Sequence, residues 1–353
     1  MSVRGDADTL MRTEAAEAAD VVARQFARNA EVVASLGARL RARPPAFAAT
    51  CARGSSDHAA TYAKYLFETQ LGVVTASISP SVGSVYAARQ HLRDALYLVI
   101  SQSGRSPDLL RNAEAARDAG ACVVALVNDA QSPLAALAEV VLPLHAGPER
   151  SVAATKSYIA SLAALLQLGA GWTGDPALAA ALQALPEALR VAHAQDWSPL
   201  VDGLADARPA VNNMFVLGRG LGLATAQEAA LKFKETCALH AEAYSSAEVK
   251  HGPMALVGPG FPVLGFVQPD ETAAGTRTLA REFAARGAQM WLADACGDDV
   301  PGARCLPLAP APHPACAPLL AIQSFYGAVE ALSRRRGFDP DRPAHLNKVT
   351  ETV

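Results

Sequence analysis

The chain has 353 residues, of which 51% are hydrophobic and 18% are charged, and its formal net charge is −3. This length is typical of two domains of ordinary size, and the apolar fraction is sufficient for large buried cores. The charge lacks the basic excess that a nucleic-acid-binding surface requires, so we expect no nucleic-acid partner.

The N-terminus and the cysteines indicate a cytoplasmic protein. The first residues carry charges and have no apolar core of the kind that defines a signal peptide. The six cysteines form no CxxC pair, which is typical of reduced, mostly buried thiols. The longest apolar stretch, residues 158–172, is too short and too interrupted to span a bilayer, so it predicts a core helix and no membrane partner.

The first predicted element is a helical arm within residues 1–45. Residues 9–42 are rich in Ala, Glu and Arg, and their apolar residues recur at helical spacing. Arg43, Pro44 and Pro45 end this arm.

Strands and helices then alternate through the first half of the chain. The apolar runs predict strands over residues 47–52, 73–77, 95–100, 122–127 and 140–144. The intervening stretches predict helices that begin near His58, Ser84, Pro107 and Pro133, with a further helix over residues 154–169. Such alternation favours a parallel sheet with helices on both faces.

The second half repeats this plan. It predicts strands over residues 214–218, 262–267 and 289–293 and helices over 224–239 and 272–286. Short residue pairs also recur at corresponding positions, since Arg53-Gly54 and Glu68-Thr69 correspond to Arg219-Gly220 and Glu235-Thr236. This repetition predicts two copies of one α/β unit, over residues 46–180 and 209–340. A helical connector lies at 181–208 and a C-terminal tail at 341–353.

A hydroxyl-rich turn after the third strand of the first repeat predicts an anion site. Ser101, Gln102, Ser103 and Gly104 lie between an apolar run and a helix that begins with Ser106-Pro107. A helix N-terminus offers unpaired N–H groups and a favourable dipole, hydroxyls add donors, and glycine permits close approach. An ordinary helix cap would account for the Ser-Pro pair but not for the whole group.

The turn after the first strand, Gly54-Ser55-Ser56, is also rich in hydroxyls. Ligands of open parallel sheets bind where the strand order reverses, and in a flavodoxin-like order strands one and three flank that point. Ser55 and Ser56 therefore predict sugar or phosphate contacts in the same crevice, although capping of the following helix is the alternative. In the second repeat Gln268-Pro269-Asp270-Glu271 replaces the serines, so we expect one ligand site in each chain.

The segment Gly218-Arg219-Gly220-Leu221-Gly222 is spaced GxGxG instead of GxGxxG. This spacing is a weak signal for a dinucleotide, and the glycines fit a tight turn and close helix packing better. We therefore expect no nucleotide cofactor at this turn.

Three further residues have side chains suited to acid–base chemistry. Lys232 and Glu235 are three positions apart and share one face of an apolar helix, where a carboxylate can shuttle protons; a solvated surface ion pair is the alternative. His251, in a His-Gly-Pro turn, suits acid–base work, although loop histidines are usually only solvated. No metal-ligand motif is evident, so we expect neither a metal nor another cofactor.

Several motifs resemble those of one family, and they occur in the same order. Ser101-Gln102-Ser103-Gly104, Ala154-Thr155-Lys156, Lys232-Phe233-Lys234-Glu235 and Lys250-His251-Gly252-Pro253 are similar to the isomerase part of glucosamine-6-phosphate synthases, a tandem pair of sugar-isomerase (SIS) domains. The segment Arg53-Gly54-Ser55-Ser56-Asp57-His58 resembles the stand-alone SIS-type glucosamine-6-phosphate deaminases more closely. The resemblance implies two SIS domains, each a five-stranded parallel flavodoxin-like sheet with helices on both faces.

The resemblance also implies roles for individual residues. Substrate contacts fall on Ser56, Ser101, Gln102, Ser103 and Ser106, with the backbone near Val152 and Ala153 beside the sugar. The proton-shuttling glutamate falls on Glu235, the ring-opening histidine on His251, and a lysine able to form an imine with a ketose on Lys348; Lys232 or Lys348 would stabilise a developing oxyanion. In the family the histidine comes from the partner subunit, which implies a homodimer.

The expected function is hydrolytic deamination of glucosamine 6-phosphate to fructose 6-phosphate and ammonia. About 45 residues precede the first strand and no N-terminal glutaminase cysteine is present, so we expect no intramolecular ammonia from glutamine. Arg105 stands where the synthases carry an acidic residue, and the tail beyond Lys348 also differs. Action on galactosamine 6-phosphate or fructosamine 6-phosphate is an alternative, as is a non-catalytic sugar-phosphate sensor.

Overall fold

The first half of the chain forms a parallel five-stranded sheet. The computed structural model describes residues 8–207, 210–295, 297 and 299–348. The strands are β1 (Ala48–Ala52), β2 (Thr75–Ser77), β3 (Leu96–Ser101), β4 (Cys122–Val127) and β5 (Val140–Pro143). Their order is β2-β1-β3-β4-β5, so β1 and β3 are neighbours and the order reverses between them, as the flavodoxin-like plan requires.

Helices cover both faces of this sheet. They are α1 (Leu10–Ala16), α2 (Ala18–Ala42), α3 (Ser55–Leu71), α4 (Pro80–Ser84), α5 (Pro107–Asp118), α6 (Pro133–Leu137) and α7 (Lys156–Thr173). Because helices shield both faces, β1 and β3 are buried at every position, which explains why they read as continuous apolar runs. The arm helix α2 lies against α7, where a Cβ on Gly37 would approach the Gly171 carbonyl oxygen to 2.3 Å.

The second half has the same topology. After the connecting helices α8 (Pro176–His193) and α9 (Ser198–Ala205), it contains β6 (Asn213–Gly218), α10 (Gly222–Cys237), β7 (His240–Ser245), β8 (Pro262–Phe266), α11 (Ala273–Ala285), β9 (Gln289–Ala293), β10 (Ala303–Leu306) and α12 (Ala317–Arg335). The strand order is β10-β9-β8-β6-β7, and all pairs are parallel. The predicted fold class, two tandem α/β units, is therefore confirmed.

One apolar core joins the two halves. Helices α3 and α7 of the first half pack against α10 and α12 of the second, and a single buried cluster includes residues of both halves, from Met11 to Leu332. Buried hydroxyls cross the junction as well: Tyr62 donates to the Ala315 carbonyl (2.8 Å), and Tyr158 donates to the Ala224 carbonyl (3.1 Å). The halves are thus docked through side chains that also belong to their own cores.

Two apolar helices are buried in the fold. The predicted core helix at residues 158–172 lies within α7, which is buried along nearly its whole length. The segment Pro314–Arg335 is long and apolar enough to cross a membrane, but 89% of its most apolar window is buried inside the protein. That degree of burial is typical of a core helix.

The sequence prediction was wrong at several element boundaries. The helix expected to begin near Ser84 ends there, because Pro80 already supplies its first turn. The edge strands β7 and β10 were not predicted, since about half of their residues are polar or exposed and they form no apolar run. The boundary expected between residues 208 and 209 and the tail residues 349–353 lie outside the described residues.

Candidate active site

The serine-rich turn closes on itself through its own side chains. The Ser101 hydroxyl accepts a hydrogen bond from the Gly104 N–H (3.2 Å), and the Ser103 hydroxyl accepts one from the Arg105 N–H (3.3 Å). Gly104 has φ +63°, and a Cβ there would lie 2.3 Å from the Ser132 hydroxyl oxygen. Only glycine fits this turn without displacing its neighbours.

The helix after this turn begins as predicted, with Pro107 in its first turn and Ser106 at the N-cap position. The Ser106 side chain makes no capping hydrogen bond within the described chain. Ser106 lines a cavity instead. The capping alternative therefore does not account for this serine.

The turn after β1 borders the same cavity, whose volume is about 360 Å³. Gly54, with φ +55°, precedes α3, and that helix begins at Ser55 itself. Ser55 and Ser56 therefore do not cap α3 from outside. The two hydroxyl-rich turns lie together because β1 and β3 are adjacent and end at one edge of the sheet.

Arg53 adds a cation to this wall. Its guanidinium donates to the buried Asp108 carboxylate through Nε (2.9 Å) and Nη2 (2.8 Å). Asp108 lies in the first turn of α5, so the pair ties the end of β1 to the helix that follows the serine turn. The distance between the two turns is thereby fixed.

Helix α10 of the second half adds charged groups to the lining of the same cavity. Lys232 is fully buried, and its Nζ lies 2.5 Å from Glu235 Oε2, 3.3 Å from Glu228 Oε1 and 3.2 Å from the Ser55 hydroxyl. Lys232 and Glu235 both line the cavity, and the Glu235 side chain is 21% exposed. The solvated surface pair is thus excluded, because the ammonium has no contact with bulk water.

The charges of this cluster stabilise one another. Burial works against ionisation of Lys232, but Glu228 and Glu235 outweigh it and raise the lysine pKa above its ordinary value. Burial likewise works against ionisation of Glu228, but the Lys232 charge and hydrogen bonds from His58 and Ser55 outweigh it and lower the carboxyl pKa. Lys232 and Glu228 are therefore both ionised at neutral pH.

Glu228 and His58 were not singled out from the sequence. The His58 ring nitrogen Nδ1 lies 2.8 Å from Glu228 Oε2, so the contact joins α3 to α10. A signal was present, because Glu228, Lys232 and Glu235 occur at i, i+4 and i+7 on one helix face. The histidine carried no such signal, since its partner is 170 residues away.

The loop before α7 and the C-terminal segment complete the cavity. Glu149, Val152 and Ala154 line it together with Leu346, Asn347 and Lys348. The Lys348 ammonium lies 2.9 Å from Glu149 Oε2. Ala153, named with Val152 from the sequence, is fully buried and does not line the cavity; Ala154 does.

Glu149 is a second buried carboxylate that was not predicted. Burial works against its ionisation, but Lys348, the Ser157 hydroxyl and the Thr155 N–H outweigh burial and lower its pKa. The C-terminal segment is thus held against the site by an ion pair with one buried partner.

His251 lies elsewhere in its own chain. It is exposed, between two short 3₁₀ turns, Glu248–Lys250 and Pro253–Leu256, and is not part of the cavity wall. The structure therefore unites ten of the predicted residues around one cavity, and His251 and Ala153 are not among them: Ser55, Ser56, Ser101, Gln102, Ser103, Ser106, Val152, Lys232, Glu235 and Lys348.

The glycine-rich turn of the second half serves packing. A Cβ on Gly218 would lie 2.2 Å from the Gly222 carbonyl oxygen, so the strand and the helix approach too closely for a side chain. The residues that replace the serines form hydrogen bonds with backbone groups of the same chain: Gln268 donates to the Pro314 carbonyl (2.7 Å), and Asp270 accepts from the Thr272 N–H (2.8 Å). Among the described residues, no group of three or more His, Cys, Asp or Glu side chains is placed to hold a metal ion.

The fold and the cavity together define a class of protein. A doubly wound sheet with a hydroxyl-lined turn at its switch point is suited to hold an anionic group, and the duplicated half adds a carboxylate beside an ammonium. The sequence matches the SIS domain family over residues 48–170 and 210–328, and the chain belongs to that family.

Relatives agree with this assignment. The glutamine–fructose-6-phosphate aminotransferase [isomerizing] of Symbiobacterium thermophilum is 35% identical over 314 residues, which are 85% of this chain and 51% of that protein. The chain thus spans about half the length of the curated relatives it matches. A solved structure from Silicibacter pomeroyi, described as a "putative phosphosugar isomerase", is 48% identical, with a TM-score of 0.89 over 95% of this chain and 100% of that one.

A more distant solved structure shares the fold. The glucosamine-6-phosphate deaminase of Thermotoga maritima is 20% identical with a TM-score of 0.74, covering 98% of this chain and 100% of that chain. At this level of identity the similarity concerns the fold alone.

Proposed function

We propose that this protein is an aldose–ketose isomerase of phosphosugars that deaminates glucosamine 6-phosphate to fructose 6-phosphate and ammonia. The observation that carries the proposal is that Glu235 and the serine-rich turn face one cavity although they belong to different halves of the chain. The relatives named for fructose-6-phosphate amination and phosphosugar isomerisation support the substrate class.

The turn from Ser101 to Ser106 is the proposed phosphate site. Its hydroxyls and the N-terminal N–H groups of α5 are neutral donors, which suit a phosphate because they match its oxygens without a competing negative charge. The Arg53 guanidinium on the same wall adds positive charge. Anchored there, the sugar would extend toward Lys232 and Glu235, which line the same cavity.

Glu235 is the proposed proton carrier. In the open-chain sugar it removes the proton from C2, beside the C1 aldehyde, and returns a proton to C1. At the same time a proton passes from the C2 amine to the C1 oxygen, so that the amine becomes an imine and C1 becomes an alcohol carbon. Water then adds to the imine carbon and ammonia leaves, which gives the C2 ketone. Lys232 holds Glu235 in place and stabilises the oxygen at C1 while negative charge develops there.

Lys348 is the second proposed cation at the reacting end. Its ammonium is paired with Glu149 and lies on the same cavity wall as Asn347. As a cation it stabilises the same developing oxyanion. If substrate displaced the pair, the freed amine would be placed to form an imine with the ketose.

The role proposed for His251 requires a second copy of the chain. Within one chain this residue lies outside the cavity, so it can assist ring opening only if a homodimer brings it to the partner's site. A symmetric dimer would complete two equivalent sites at once.

The test is ammonia release from glucosamine 6-phosphate by the purified protein, with fructose 6-phosphate measured as the second product. We expect Glu235→Gln to reduce turnover about 10²- to 10⁴-fold, the usual contribution of a general acid–base group. Glu187→Gln is the matched control, because that glutamate pairs with Arg190 on the surface of α8. No release by the wild type, or full activity in Glu235→Gln, would contradict the proposal.

A substrate panel separates the related functions. Galactosamine 6-phosphate and fructosamine 6-phosphate are assayed beside glucosamine 6-phosphate, and the preferred substrate is the one with the highest kcat/KM. A sugar phosphate that raises the melting temperature without turnover of any panel member would instead favour the non-catalytic sensor.

A further inference from the structure

The buried carboxylate of Glu228 lies behind the proposed reacting groups. It is fully buried and does not line the cavity, yet its partner Lys232 does. Nothing in the proposed reaction uses Glu228 directly. Its ionised state nevertheless requires hydrogen-bond donors, because a buried carboxylate without partners is strongly unfavourable.

Three donors meet this requirement, and they come from both halves of the chain. Ser55 and Lys232 approach Oε1, at 3.0 and 3.3 Å. The His58 ring nitrogen Nδ1 approaches Oε2 at 2.8 Å, the shortest of the three distances. Since an ionised carboxylate only accepts hydrogen bonds, Nδ1 of His58 must carry a proton.

The Lys232 ammonium is shared between two carboxylates. Its Nζ lies 2.5 Å from Glu235 Oε2 but 3.3 Å from Glu228 Oε1. The Lys232 ammonium can lie closer to Glu235 because His58 and Ser55 already donate hydrogen bonds to the Glu228 carboxylate. If Oε2 of Glu228 lost its donor, the ammonium would be drawn toward Glu228 and away from Glu235.

We propose that His58 is a positioning residue for this site: by bonding Glu228 through Nδ1–H, it leaves the Lys232 ammonium to hold Glu235 at the substrate. This inference rests on the proposed function of Glu235. His58 itself does not line the cavity, so it acts through two intermediate side chains and touches no substrate.

Two substitutions with the same chemistry test the inference. In His58→Asn the side-chain amide nitrogen takes the position of Nδ1, whereas in His58→Gln it takes the position of Nε2. We expect H58N to retain most of the wild-type kcat. We expect H58Q to lose roughly 10- to 100-fold in kcat, as for the loss of a hydrogen bond to a charged group.

The KM for glucosamine 6-phosphate should change little in either variant, because neither substitution alters a residue of the proposed phosphate site, the turn from Ser101 to Ser106. A general structural defect would instead lower the melting temperature and alter KM in both variants. Equal kcat values for H58N and H58Q, or a loss confined to KM, would overturn the inference.

A measurement on the free protein separates this inference from the proposed function. The wild type is labelled with ¹⁵N-histidine, and the His58 ring signals are identified by their absence from H58N. We expect Nδ1 to be protonated at neutral pH; a neutral ring protonated only at Nε2 refutes the inference, whatever the enzyme activity. If the wild type turns over no substrate, the proposed function fails, while this spectrum still tests whether His58 donates to Glu228 through Nδ1, as it does if H58Q does not fold.

Discussion

Gly104 offers the sharpest test of the serine-rich turn. Replacement by alanine forces an L-residue into left-handed backbone, which costs about 1–2 kcal/mol. The new methyl would also lie 2.3 Å from the Ser132 hydroxyl and 3.2 Å from Val127 Cγ1. Crowding of this kind adds about 1–3 kcal/mol, so we expect Gly104→Ala to lower the free energy of unfolding by roughly 2–5 kcal/mol.

Gly72→Ala is the matched control. Gly72 has φ +66°, close to the +63° of Gly104, but a Cβ there meets nothing within 4 Å. Its substitution should therefore cost only the backbone component, about 1–2 kcal/mol. The difference in the free energy of unfolding between Gly104→Ala and Gly72→Ala therefore measures the cost of the contact with Ser132.

The functional consequence is specific to Gly104. Its N–H bonds the Ser101 hydroxyl, and its carbonyl accepts from the Leu134 N–H, so a shift of residue 104 moves a proposed phosphate ligand. Urea unfolding measures both stabilities at comparable slopes, and substrate titration measures KM. Equal stabilities for the two variants, with KM for the sugar phosphate unchanged in Gly104→Ala, would refute this account of the turn.

Two further predictions concern assembly and pH. If His251 acts in the partner's site, co-expressed Glu235→Gln and His251→Asn chains, each inactive alone, should recover about a quarter of wild-type activity, since half of the dimers are mixed and each mixed dimer has one intact site; recovery of nothing would place both residues in one chain's site. The Glu149 carboxyl has a pKa below its ordinary 4.5, so its stabilisation is present above that pH and is lost as pH falls through the folded-state value. Urea unfolding between pH 6 and about 3 should therefore show a shallower loss of stability for Glu149→Gln than for the wild type, and parallel curves would contradict this.

The sequence was most informative where structure is local. The turn at Ser101–Ser106 could be recognised because strand, hydroxyls, glycine and helix start are contiguous, and the adjacency of β1 and β3 follows from a general rule for such sheets. Repetition of Arg-Gly and Glu-Thr pairs revealed the duplication. These features depend on neighbours in the chain and on strand periodicity.

The rest of the site depends on contacts between distant segments. Glu149 reads as an ordinary loop glutamate until Lys348, 199 residues later, is seen to bond it. Burial of Lys232 follows from the packing of α3 against α10, and helix spacing alone cannot distinguish that from a surface pair. Strand β7 was not predicted from the sequence, because an edge strand with exposed alternate residues has no continuous apolar run.

If the serine-rich turn holds the phosphate and Glu235 carries the proton, as proposed, their placement on different repeats has a mechanical implication. The proposed chemistry depends on the spacing between α3 and α10, which is set by core packing and by the contact between His58 and Glu228. A substitution that loosens this junction by a fraction of an ångström would act as an active-site lesion without touching a ligand. In the proposed reaction a swing of one half relative to the other would separate the phosphate site from Glu235. We therefore expect entry and exit of the sugar to involve the outer loops and the C-terminal segment, whose residues 346–348 line the cavity.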